Sequence, residues 1–223
     1  MGNLKERVAT LLGRLETSRI ILVEWETSIQ IRLGYPLVSN GSLFFLVPDD
    51  QLQRACDLAA ELGLYPADEN TLRPAYTSEF SNLADRYLID DSARYPPNEG
   101  PPQRRLVLLP MSWAGITRDE LVPISDEDNS HPILPCTVWT VPLPAACTAF
   151  VYIAARERRG SLLRSSLIEG LSSVISYNLF DVSYEGDYME FPLNDEPLLY
   201  KKISEIENTM AEINCWVFMN GKE

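Results

Sequence analysis

The stretch Asn40-Gly41-Ser42-Leu43-Phe44-Phe45-Leu46-Val47-Pro48-Asp49-Asp50 carries most of the information about the fold. Its middle part, Ser42 to Val47, is apolar after the serine, and such a run predicts a strand that is buried on both faces. Asn40-Gly41 before it is a turn signal. Asp49 and Asp50 predict the start of a helix, because acidic side chains in the first turn cap free N–H groups and suit the helix dipole.

Further elements are predicted on both sides of this strand. Before it, apolar residues at three- and four-residue spacing predict helices over 3–16 and 17–33, and Gly34 ends the second one. After it, one apolar face predicts a helix that ends at Gly63. Further strands are predicted at 104–109, 121–124 and 137–141. Helices follow, beginning near Pro144, after Ser161 and at Pro197.

These elements predict an α/β (α+β) fold with a small mixed sheet flanked by helices. The composition changes near residue 143, so residues 1–143 form a predicted α/β core and residues 144–223 a helical C-terminal part that packs on it. The core contains a Pro-rich loop region, 65–103. Its segment Pro-Pro-Asn-Glu-Gly-Pro-Pro (96–102) predicts a loop, because proline disrupts a helix interior and a central strand.

The charge of the chain disfavours several classes of partner. With 32 acidic and 19 basic residues the net charge is −13, which argues against general nucleic-acid binding. A local contact with a tRNA-sized ligand stays open through the short basic clusters at 104–105 and 156–159. No apolar run approaches the ~20 residues of a membrane span. The N-terminus lacks the apolar region of a secretory signal, so a cytoplasmic location without membrane contact is expected.

Cysteine and histidine chemistry has little support in the sequence. The four cysteines form no closely spaced pair and have apolar neighbours, which is typical of reduced, buried thiols. The single histidine, His131, lies in a polar segment that predicts a solvated loop. A structural zinc site is therefore not expected. A Ser-His-Asp triad would depend on the same histidine, and no GxSxG motif is present.

Two segments resemble minimal nucleotidyltransferase-like proteins, a family related in fold to polymerase beta. Gly34-Tyr35-Pro36, the run from Asn40 to Ala55 and Glu61-Leu62-Gly63 are similar to the family's strand that ends in Leu-Val-Pro plus an acidic residue and to the helix that follows. Val141-Pro142-Leu143-Pro144 and the later Ala154-Ala155-Arg156 are similar to the start and end of another family helix. The resemblance covers residues 17–64 and 137–160 and implies a nucleotidyltransferase-like core.

The resemblance also implies that this chain lacks the metal-binding carboxylates of the family. Family members hold Mg²⁺ with two carboxylates at alternating positions of the second strand, which share one face and reach the same ion. Ser42 and Phe44 occupy those positions here, and the predicted strand at 104–109 offers no third carboxylate. The chain is therefore expected to lack metal-dependent nucleotidyl transfer. No cofactor is expected, and Mg²⁺ enters only if this placement of the carboxylate positions is wrong.

Several polar residues are candidates for other sites. Glu24 interrupts an apolar run beside Trp25, where partial burial could raise the pKa of a carboxylate and make it a base. Glu185 and Asp187 are further candidate catalytic groups. Tyr184 and Tyr188 beside them could contact a cationic ligand through their rings. The candidate ligand-binding residues are Asn40, Ser42, Trp25, Tyr184 and Tyr188, and no residue is predicted to bind a metal.

Three functions stay open at this point. The first is a degenerate nucleotidyltransferase-like protein that binds a small molecule or a protein partner. The second is a transferase in small-molecule biosynthesis that uses an activated nucleotide or aminoacyl donor, with Glu24, Glu185 or Asp187 as acid–base groups. The third is an acidic protein-interaction module that binds a basic partner in a salt-sensitive way.

Overall fold

A computed structural model describes residues 4–35, 41–67, 83–89, 104–124 and 134–179, together with Asn208 and Ala211. The helices of the five ranges are α1 (Leu4–Thr17), α2 (Thr27–Arg32), α3 (Asp49–Glu61), α4 (Met111–Ala114), α5 (Leu143–Arg156) and α6 (Leu162–Leu179). Their strands are β1 (Val23–Glu24), β2 (Leu43–Val47), β3 (Asp85–Leu88), β4 (Arg105–Pro110), β5 (Val122–Pro123) and β6 (Trp139–Thr140). A 3-10 helix, Arg118–Glu120, precedes β5.

The six strands form one mixed sheet in the order β3-β4-β2-β1-β6-β5. Two neighbouring pairs are parallel: β2 with β4, in register from Leu43 opposite Leu106, and β1 with β6. The three other pairs are antiparallel. The predicted fold class, a mixed sheet flanked by helices, is confirmed.

Helices cover both faces of the sheet, so the central strands are buried on each side. Side chains of β2 alternate between two hydrophobic clusters: Phe45 and Val47 pack with α1 and α3, whereas Phe44 and Leu46 pack with α2, α4, α5 and the first half of α6. This explains why β2 is apolar without alternation. Helices from both predicted parts of the chain join the second cluster, although the division at residue 143 itself stays a prediction.

The single helix predicted over residues 17–33 is wrong in its first half. Helix α1 continues to Thr17 and ends where Arg19 adopts a left-handed conformation (φ 55°), with the N–H of Ile20 bonded to the carbonyl of Leu15. The chain then enters β1, which pairs with β2, and only residues 27–32 are helical. The spacing of Ile21, Trp25 and Ile29 fits a helix, but a short strand followed by a short helix buries Trp25 and Ile29 equally well.

The predicted Pro-rich loop region 65–103 contains a strand. β3 forms one edge of the sheet, and its outer side is partly covered by the chain just after α3, because the N–H of Ala67 bonds to the carbonyl of Arg86 and the N–H of Leu88 to that of Tyr65. The strand predicted at 104–109 is confirmed as β4, while those at 121–124 and 137–141 are reduced to the two residues of β5 and the two residues of β6. The helix predicted from Pro197 lies outside the described residues, apart from Asn208 and Ala211. Among the helices that the structure describes, none has the length and apolar character to cross a membrane.

Candidate ligand site at the carboxyl ends of two parallel strands

The carboxyl ends of β2 and β4 lie side by side, and the chain leaves them towards opposite faces of the sheet. After β2 it enters α3, which packs on the first cluster, and after β4 it enters α4, which packs on the second. Such a divergence opens a crevice between two parallel strands, where ligands of α/β proteins commonly bind. We call this place the β2/β4 crevice and define it by Asp49, Asp50, Ser112 and Arg118.

Polar side chains face each other across the β2/β4 crevice. The carboxylate of Asp49, at the start of α3, accepts hydrogen bonds from the backbone N–H of Ser112 at 3.1 Å and from its hydroxyl. The guanidinium of Arg118 donates from Nη2 to Oδ1 of Asp50 at 2.6 Å. All four residues are exposed to solvent. Two carboxylates, a hydroxyl and a guanidinium are therefore accessible to a ligand at one edge of the sheet.

The local sequence explains these positions. Pro48 ends β2, and Asp49 and Asp50 form the first turn of α3, as the sequence predicts. Arg118 lies in a 3-10 helix that begins with a capping box, in which Thr117 and Glu120 bond to each other's backbone and side-chain groups. The hydrogen bond from Arg118 is the main cause that holds the pKa of the Asp50 carboxyl below its usual range.

The sequence predicts neither Ser112 nor Arg118 as a site residue, and it predicts the two aspartates only as helix caps. The local signal is limited to a buried strand followed at once by a helix, which occurs after both β2 and β4. That the ends of these strands meet depends on their parallel pairing, which no local pattern shows.

Glu24, a candidate catalytic residue, is buried at the end of β1 and bound on both carboxylate oxygens. Oε1 accepts from Nε of Arg32 and, at 2.5 Å, from the hydroxyl of Thr140, while Oε2 accepts from Nη2 of Arg32 at 3.2 Å. The carboxylate thus anchors α2 and β6 to β1. Its role as a catalytic base stays a prediction.

Trp25, a candidate ligand-binding residue, lies in the core. Its ring stacks on Phe150 with centroids 5.4 Å apart and meets the edge of Trp113 at 6.1 Å. Its indole N–H has no hydrogen-bond partner in the part of the chain that the structure describes. The indole is fully buried, so a ligand would reach it only if Trp113 or Phe150 moved.

The two positions that the resemblance aligns with metal-binding carboxylates have other roles. Ser42 is buried just before β2, and its hydroxyl oxygen accepts a hydrogen bond from the N–H of Arg105 at 3.3 Å. Phe44 is a core residue of the second cluster. Ser42 therefore bonds to the neighbouring strand β4, and Phe44 packs in the core. Ligand binding by Ser42 stays a prediction.

The other predicted site residues cannot be placed. Asn40, Tyr184, Glu185, Asp187 and Tyr188 lie outside the described residues, and so does His131. Their roles stay predictions.

Within the described ranges, no group of three or more His, Cys, Asp or Glu side chains could hold a metal ion. Cys56, Cys136 and Cys147 are free thiols. Burial raises the pKa of the Cys56 thiol to about 12 and that of Cys136 to about 11, so both stay protonated and weakly nucleophilic at neutral pH.

Comparison of the chain with protein-family models, with curated proteins and with solved structures finds no match.

Proposed function

We propose that this chain is a small-molecule-binding protein with a nucleotidyltransferase-like core, and that its ligand binds in the β2/β4 crevice without a metal ion. The observation that carries the proposal is the divergence of the chain after two adjacent parallel strands, with polar side chains on both sides of the opening. The scaffold is then used for binding, because a fold does not by itself fix a reaction.

The residues at the family's metal positions support binding without the family's chemistry. A phenylalanine in the core and a buried serine that bonds to β4 offer no pair of carboxylate oxygens to a divalent ion. Glu24, the nearest carboxylate along β1, has both oxygens engaged by Arg32 and Thr140. Metal-bridged transfer of a nucleotide has no equivalent set of groups among these described residues.

The chemistry of the crevice suggests the class of ligand. Asp49 and Asp50 would accept hydrogen bonds from an amine or hydroxyl group, and Arg118 would pair with a carboxylate or phosphate. The two halves of the crevice already satisfy each other, so a ligand must replace these contacts with its own. A small polar molecule that carries both a donor or cationic group and an anionic group fits this arrangement.

Thermal stability in the presence of ligands tests the proposal. The panel comprises amino acids, amino alcohol phosphates and nucleotides, each measured with Mg²⁺ and with EDTA. A ligand at ~100 times its Kd stabilises the folded state by about 2.7 kcal/mol, which is a shift of several degrees for a chain of this size. We expect at least one zwitterionic compound to give such a shift in EDTA.

Two variants locate the ligand. Asp49→Asn with Arg118→Met should abolish the shift. Glu61→Gln, which removes an exposed carboxylate paired with arginines at the other end of α3, should preserve it. A shift that needs Mg²⁺ and a nucleoside triphosphate, or one that survives the crevice variant, would contradict the proposal. The proposal would also be contradicted if no compound of the panel raised the melting temperature.

A further inference from the structure

The turn between α5 and α6 carries a basic surface on a strongly acidic chain. Arg156 is the last residue of α5, Arg158 and Arg159 follow in the connection, and all three are exposed. Leu162, the first residue of α6, is 63% exposed beside them. We call these four residues the arginine turn. Arg158 and Arg159 have no ion-pair partner within the described part of the chain.

Helix capping does not account for these arginines. Cations at the end of a helix commonly offset its dipole and bind its last carbonyl groups. In α5 this role belongs to Arg164, whose Nη1 donates to the carbonyl of Ala154 at 2.6 Å and to that of Glu157 at 3.5 Å. The guanidinium groups of Arg158 and Arg159 are therefore available for another partner.

Arg156 is held in place before any partner binds. Its guanidinium lies 4.9 Å from the ring centroid of Tyr152 and donates to the hydroxyl of the same residue. The ring itself lies against Gly115, where even a Cβ atom would come within 3.0 Å of it. A guanidinium that is already ordered loses less conformational freedom when an anion binds.

The positive charge of the turn comes from its three arginines. The N-terminus of α6, an 18-residue helix, carries about half a positive charge, and the C-terminus of α5 in the same turn carries about half a negative one. Glu157, between Arg156 and Arg158, leaves the turn with an excess of two basic side chains. At physiological ionic strength the Debye length is about 8 Å, so a short anionic segment responds mainly to the local arginines. An extended nucleic acid would run beyond the turn onto a surface whose net charge is negative.

We propose that the arginine turn is a docking surface for a short acidic peptide segment, whose carboxylates pair with Arg156, Arg158 and Arg159 and whose apolar side chain contacts Leu162. Guanidinium groups bind carboxylates through two parallel hydrogen bonds, and an exposed leucine at the border gives the contact an apolar component. The arginine turn shares no residue with the β2/β4 crevice, so each proposal is tested by its own variants.

Fluorescence anisotropy with a defined probe tests the docking surface. The probe is a labelled peptide with the sequence of residues 181–196 of this chain, Asp-Val-Ser-Tyr-Glu-Gly-Asp-Tyr-Met-Glu-Phe-Pro-Leu-Asn-Asp-Glu, which has acidic and aromatic residues and no basic one. It is titrated with the full chain and with a full-chain variant in which the acidic residues of 181–196 are replaced by their amides. The second protein removes competition from the chain's own acidic segment.

We expect saturable binding to at least one of the two proteins, weakened by NaCl. The double variant Arg158→Glu/Arg159→Glu should weaken it about tenfold, since it replaces two attractive charges of the surface by two repulsive ones. Leu162→Ser should weaken it less. The matched control, Arg19→Glu/Arg54→Glu, changes the net charge equally on exposed residues elsewhere and should bind as the parent does.

Three results would overturn the proposal. The first is no binding to either protein. The second is equal weakening by the control variant, which would mean a general effect of net charge. The third is tighter binding of a labelled 16-nucleotide RNA that is lost in Arg158→Glu/Arg159→Glu, which would assign the surface to nucleic acid. Circular dichroism of each variant confirms that it is folded.

Discussion

Glu24 with Arg32 and Asp50 with Arg118 are both pairs of a carboxylate with a guanidinium group. The first pair is buried and the second is exposed. The side chains of the first pair are 2% and 11% exposed, whereas those of the second are 67% and 51% exposed. A buried pair that loses one partner leaves an uncompensated charge, while an exposed pair exchanges its partner for water at little cost. The first pair therefore holds α2 on the sheet, whereas the second can exchange its partner for water.

Breaking the pair of Glu24 and Arg32 should cause the largest loss of stability. Glu24→Ala leaves Arg32 buried without its carboxylate, and we expect a loss of about 3–5 kcal/mol in the free energy of unfolding, measured with urea. Glu24→Ala combined with Arg32→Met should recover part of the loss, because it removes both charges. If Glu24→Ala costs less than about 1 kcal/mol, the buried pair does not hold the fold.

Removing the hydroxyl of Thr140 tests how much a neutral hydrogen-bond donor contributes to the stability of buried Glu24. Thr140→Val deletes the hydroxyl that donates to Oε1 and keeps the shape of the side chain. We expect a loss of about 1.5–3 kcal/mol in the free energy of unfolding, since hydrogen bonds to charged groups contribute this much. The measurement is again urea unfolding. In the Glu24→Ala background Thr140→Val should cost much less, and equal costs in both backgrounds would show that the two residues are not coupled.

Removing a hydroxyl in the β2/β4 crevice should lower the stability less than removing that of Thr140. Ser112→Ala removes the hydroxyl that donates to Asp49, but water can replace it at this exposed position. We expect a loss of about 0.5–1 kcal/mol in thermal or urea unfolding. Ser172→Ala, at an exposed position of α6, serves as the control and should change stability by less. A cost as large as that of Thr140→Val would mean that the crevice is structural.

Removing Arg118 from the exposed pair should change the pKa of Asp50 but not the stability of the fold. Arg118→Met should leave the urea midpoint unchanged within error and return the pKa of the Asp50 carboxyl towards its usual range, measured by NMR titration. Because the folded-state pKa is depressed, the contribution of this pair is present above the usual carboxyl pKa and is lost as the pH falls through the depressed value. High salt should reduce the same shift in the parent chain. An Asp50 pKa that does not respond to Arg118→Met would mean that another group causes the shift.

The sequence was informative where the physical cause is local. The continuous apolar run of β2 and the acidic first turn of α3 predict both elements, because burial on two faces and helix capping depend on neighbouring residues. The buried pair could not be predicted in this way. Arg32 follows Glu24 across a turn and helix α2, and Thr140 is 116 positions away, so no periodicity connects the three.

The candidate site was harder to predict than the fold for the same reason. Asp49 meets Ser112 only because β2 and β4 are adjacent and parallel, and 63 positions separate the two residues. The sequence does not predict β3, because two of its four residues are charged and it lies in a Pro-rich region. The strand gains its stability from pairing with β4 and from the chain at 65–67. Such pairings depend on tertiary context rather than on local propensity.

The pairing of β1 with β6 also determines the order in which this chain can fold. β1 lies near the N-terminus, and its parallel partner arrives only after α3, β3, β4 and β5 have been synthesised. Long-range pairings of this kind close large loops, which slows folding. During synthesis Glu24 and Arg32 can meet early, whereas Thr140 completes their hydrogen bonds last. Until β6 has formed, β1 is therefore an unpaired edge of the sheet, and such an edge can pair with another chain.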